Sequence, residues 1–60
     1  MNNMIKYYFW YENYKHEWVQ LGKMNGYNTA KECKNDNTFS IQVAELEGLC
    51  WKILEAKPMK

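Results

Sequence analysis

Apolar Phe39, Ile41 and Val43 alternate with the smaller or polar Ser40, Gln42 and Ala44, a period of two that predicts a half-buried β-strand running from Thr38 to a turn at Glu47-Gly48. Residues 49–57 then predict another strand, stopped by Pro58, which has no amide to donate to a ladder. If Glu47 and Gly48 form a two-residue hairpin loop, Cys50, Lys52, Leu54 and Ala56 stand opposite Glu45, Val43, Ile41 and Phe39. The expected core face is therefore Phe39, Ile41, Val43, Leu54 and Ala56. The other face of that hairpin carries Leu46, Leu49, Trp51 and Ile53, so it too is apolar.

Earlier in the chain, residues 4–11 are rich in strand-forming side chains and contain the unbroken run Tyr7, Tyr8, Phe9, Trp10, Tyr11. Successive side chains of a strand point to opposite faces, so such a run presents rings on both. Ile5, Tyr7 and Phe9 are assigned to the core, whereas Tyr8, Trp10 and Trp51 suit a core or an interface equally. Residues 17–24, with Trp18, Val19 and Leu21, predict a second strand, and the polar segment 12–16 has the length of a hairpin loop. Asn25-Gly26 marks a turn, because both residues tolerate positive φ. Thr29-Ala30-Lys31-Glu32 reads as a capping box that opens a helix of about two turns, ended by Asn35, Asp36 and Asn37. The expected fold is a single α+β domain over residues 1–60, in the order β-β-α-β-β, with four antiparallel strands and one short helix.

Sixty residues bury only about 60% of the surface that the unfolded chain exposes, so a lone core is thin. Cys33 and Cys50 allow one disulfide at most, and no Asn-x-Ser/Thr acceptor occurs, which argues against a secreted scaffold. The N-terminal stretch is short, aromatic and interrupted by Lys6, unlike a signal peptide, and no apolar run approaches the roughly 20 residues of a membrane span. A cytoplasmic protein without membrane attachment is expected. The net charge of +1 gives no strong field for nucleic acid. All eight basic residues are lysine, and the absence of arginine suggests an AT-rich genome, as in phages and mobile elements and equally in low-GC bacteria.

Candidate chemistry thins out quickly. His16-Glu17 begins a zinc-protease pattern, but Gln20 stands where the second histidine belongs. His16, Cys33 and Cys50 are separated by 17 residues each, which matches no standard metal spacing, and the thiols are expected to be small buried groups. With one histidine and no glycine-rich phosphate loop, neither catalysis nor a cofactor is expected. The apolar surplus instead predicts a protein-binding module whose partner residues are Tyr8, Trp10, Leu46, Leu49, Trp51 and Ile53. Its partner is a second copy in a homodimer or a host protein, and its size and composition suit a phage or mobile-element inhibitor of a host enzyme or defence system. The alternative is a single-stranded nucleic-acid binder using Lys6, Tyr8, Trp10, Trp51 and Lys52.

Overall fold

The residues of highest strand propensity, Lys6–Glu12, form the central strand β1 of a three-stranded antiparallel sheet. In a computed structural model, which describes residues 5–56, it is flanked by β2 (Trp18–Leu21) and β3 (Trp51–Ala56). Between the outer strands the chain forms two helices, α1 (Ala30–Asp36) and α2 (Thr38–Leu46), so the fold is α+β. The expected beginning at Met4 and the end at Lys57 and Pro58 lie outside the described residues.

Several local expectations hold. The Thr29 hydroxyl accepts from the Glu32 amide (3.1 Å) and caps α1. The Gly26 amide donates to the Lys23 carbonyl (3.0 Å), closing the turn that contains Asn25, with Gly26 at φ +86°. The 12–16 connection is a tight hairpin loop fixed by the Asn13 side chain, whose Oδ1 accepts from the Lys15 and Glu17 amides (both 2.9 Å).

Residues 38–46 overturn the main expectation, since they are helix and not strand. The signal taken for a hairpin turn is a helix stop. Gly48, at φ +73°, donates its amide to the Glu45 carbonyl (3.3 Å), and the Leu49 amide reaches the Ala44 carbonyl (2.8 Å), the bond pair of a Schellman motif. The start is equally local: the Thr38 hydroxyl donates to the Lys34 and Asn35 carbonyls, and the Asn37 amide group donates to the Cys33 carbonyl (2.8 Å), capping α1 as α2 begins.

With no strand there to receive it, β3 pairs with β1, from Lys6↔Ala56 to Tyr11↔Trp51. This register inverts the expected core face. Trp51 and Ile53 point toward the helices and pack on the core, whereas Leu54 and Ala56 are exposed. Phe39 is exposed and Val43 half-buried, leaving Ile41 alone of the expected set in the core. Ile5, also expected inside, is exposed, and Cys50 is exposed where a buried thiol was expected. Both cysteines are free. The core is built on Phe9, Tyr27, Cys33 and Ile41, with Tyr7, Tyr11, Leu21, Trp51 and Ile53 packed against it.

Tyr27 ties the helices to the sheet. Its backbone bridges Tyr7 through two hydrogen bonds (2.9 and 2.8 Å). Its hydroxyl donates to Asp36 Oδ2 (2.6 Å) and accepts from the Lys23 amide (3.2 Å) and Asn37 Nδ2 (3.4 Å). Burial, then the bond to Asp36, pushes the Tyr27 phenol above its ordinary pKa, and burial does the same to the Cys33 thiol. Both groups hold their protons more tightly when folded, so their contribution is complete below the unfolded pKa values and is lost as pH rises through the folded ones. Thermal melts should be unaffected by these two groups near neutrality and should lose stability from about pH 9 upward. Tyr27→Phe should flatten the decline above about pH 10, and a melting temperature constant to pH 11 would contradict this assignment.

Candidate functional site

Alternation along β1 divides its rings between two environments. Tyr7, Phe9 and Tyr11 face the helices, and Tyr8 and Trp10 face the other way, together with Lys6 and Glu12. The pairings Trp10↔Gln20 and Glu12↔Trp18 bring Gln20 and Trp18 to this second face, and Trp10↔Lys52 and Tyr8↔Leu54 bring Lys52 and Leu54. Among the described residues no helix or strand lies over it. Trp18 remains 40% exposed and Leu54 43%, while Tyr8 and Trp10, shielded by neighbours on both sides, are half-buried.

Two lysines pack along this face instead of standing free. Lys52 arches from β3 across the central strand and sets its Nζ 4.0 Å from the centroid of the Trp18 ring on β2. Lys6 donates to Asn28 Oδ1 (2.7 Å) at the edge where the 23–28 segment rejoins the sheet. Gly26 brings backbone against the same corner, close to the Tyr8 ring. Among the described residues of the face, Glu12 supplies the one carboxylate, 3.5 Å from His16 Nδ1.

The six expected partner residues fall into three places. Tyr8 and Trp10 share the open face, and Trp51 and Ile53 lie on the opposite side of the sheet, with the Trp51 ring 5.9 Å from that of Phe9. Leu46, 86% exposed, ends α2, and Leu49 is half-buried in the connection to β3. Sequence reasoning missed Trp18 and Leu54 as companions of Trp10. Of the five nucleic-acid candidates, Lys6, Tyr8, Trp10 and Lys52 share the open face and Trp51 does not.

A second feature lies on the helix side, where α2 stands off the hairpin and leaves a groove of about 270 Å³ walled by Tyr11, Leu21, Val43, Ala44 and Leu49. Tyr14 closes one end by donating its hydroxyl to Glu47, a bond that raises the Tyr14 pKa together with the nearby carboxylate charge. Among the described residues no group of three or more His, Cys, Asp or Glu side chains is placed to share a metal ion. Nor is any helix there long and apolar enough to cross a membrane.

Comparison with protein-family models, curated proteins and solved structures gave no match.

Proposed function

We propose that the chain is a non-catalytic protein-binding module that receives its partner on the open face of the sheet, with Tyr8 and Trp10 at the centre and Trp18 and Leu54 beside them. The observation that carries this reading is the sharing of one uncovered face by these four side chains. Tryptophan and tyrosine are the side chains on which binding energy concentrates, because each offers a large rigid area at low entropic cost. Trp51 and Ile53 now belong to packing, and Leu46 and Leu49 lie away from this surface. A role as a phage or mobile-element inhibitor, acting in the host cytoplasm by occupying an enzyme or defence protein, is supported by small size and the arginine-free composition.

A second reading, single-stranded nucleic acid, is favoured by Lys6 and Lys52 sharing the face with Tyr8 and Trp10. It is weakened because Lys52 already covers Trp18, Lys6 already bonds Asn28, and Glu12 sits among them. Affinity capture from a host lysate tests the first reading: the wild-type chain should retain a protein that Trp10→Ala loses, a change of about 2 kcal/mol or more, with the circular dichroism unchanged. Retention by Trp10→Ala and by Trp18→Ala would remove the open face as the binding surface. Binding of a labelled oligothymidylate that weakens steeply between about 50 and 200 mM salt would establish the second reading instead.

A further inference from the structure

Each residue of an α-helix turns about 100°, so Phe39 and Leu46, seven apart, lie on nearly the same line of α2, with Gln42 and Val43 between them. Ile41 and Ala44 are buried on the opposite side. Phe39 is 77% exposed and Leu46 is 86% exposed. A helix with apolar side chains on opposite faces needs cover on both, and the sheet provides only one.

We infer that this outer stripe is the seam of a homodimer, in which α2 packs antiparallel against α2 of a second copy about a two-fold axis beside Gln42 and Val43. The stripe is complementary to itself under that operation. The axis places Phe39 of each copy on Leu46 of the other, so the same patch serves both partners, and the spacing is one heptad, the repeat of equivalent core positions in a two-helix seam.

Charge selects the same arrangement. The acidic residues of this segment, Glu45 and Glu47, gather at the C-terminal end of α2, and no charged residue interrupts the stripe from Phe39 to Leu46. A parallel pair would set these carboxylates side by side, whereas the antiparallel pair moves the two sets to opposite ends of the seam, away from one another. Tyr14, 72% exposed and bonded to Glu47, extends the patch beyond the end of the helix. An aromatic side chain contributes up to about 150–250 Å², so Phe39, Tyr14 and Leu46 supply roughly half of the 800 Å² that each side of a standard interface buries. An interface of this size, about 400 Å² a side, lies at the small end of specific contacts, so the dimer is a weak and transient one. It is independent of the open sheet face, and it would display two copies of that face on one particle.

Sedimentation equilibrium of the full chain tests the inference. The mass should rise from 7.3 kDa toward twice that value with a dissociation constant of about 1–100 µM. The double substitution Phe39→Ser with Leu46→Ser should weaken dimerisation at least about 30-fold while leaving the monomer folded, since Leu46 is exposed and Phe39 touches the molecule only at the rim of the groove beside α2. Trp10→Ala should dimerise like the wild type. A wild-type chain that stays monomeric to about 500 µM, or a dimer indifferent to the double substitution, overturns the inference. A dimer lost through Trp10→Ala instead assigns self-association to the sheet and overturns it equally.

Discussion

Phe9→Ala should remove a large share of the stability of the fold at 25 °C, about 3–5 kcal/mol. The Phe9 ring is fully buried at the middle of the central strand, against Tyr27, Cys33 and Ile41 and beside Trp51. Truncating a buried phenylalanine to alanine costs about 3–5 kcal/mol, in lost transfer energy plus the cavity left behind. A chain of this length has a total stability of roughly 3–9 kcal/mol at typical values per residue. The loss is thus a large share of the whole. Phe9→Leu, which keeps most of the volume, should remain folded at a cost of about 1–2 kcal/mol. Urea titration followed by circular dichroism separates the two variants, and a cooperative transition in Phe9→Ala within about 1 kcal/mol of the wild type would show that the ring is not the centre of the core.

Gly26→Ala should cost about 2–4 kcal/mol, from two additive causes. At φ +86° an L side chain is strained by about 1–2 kcal/mol. The added Cβ would also lie 2.8 Å from Lys6 Cβ and 2.9 Å from Tyr8 Cζ. Lys6 Cβ is attached directly to the central strand, so it cannot swing aside as the end of a long side chain would. Gly48→Ala isolates the first cause: its φ is +73°, but the new methyl group would meet nothing within 4 Å. That variant should lose only about 1 kcal/mol. Equal losses at the two positions would mean that the Gly26 turn relaxes away from Tyr8, and the corner of the open face would then be softer than its packing implies.

The fold is legible in the sequence wherever a single local element decides it. The Thr29 cap, the Asn25-Gly26 turn, the aromatic first strand and the short hairpin loop each depend on neighbouring residues alone. Residues 38–46 failed because the alternation of Phe39, Ile41 and Val43 imitates a strand. In a helix, residues two apart point about 200° away from each other, so Phe39 and Ile41 lie on opposite sides, one outward and one in the core. The pattern came from a helix apolar on two faces. Gly48 carried the corrective signal, since glycine just past a helical stretch stops helices as readily as it turns hairpins.

Membership of the candidate face was legible only in part. Tyr8 and Trp10 share a side by simple alternation, but which of Trp51 and Lys52 joins them depends on the register between β1 and β3. That register follows from the strand order β2-β1-β3, a long-range property that no window of neighbouring residues contains. Trp18 was missed for the same reason, because its place opposite Glu12 is set by how the Asn13 loop closes.

The central position of β1 also governs how the molecule is made. Its second neighbour is encoded only after β2 and both helices, and Lys6 waits for Ala56 before the ladder is complete. During synthesis the ring-bearing edge therefore stays open until β3 has left the ribosome, and a product cut short before Trp51 would carry that edge unprotected into the cell, as a template for aggregation.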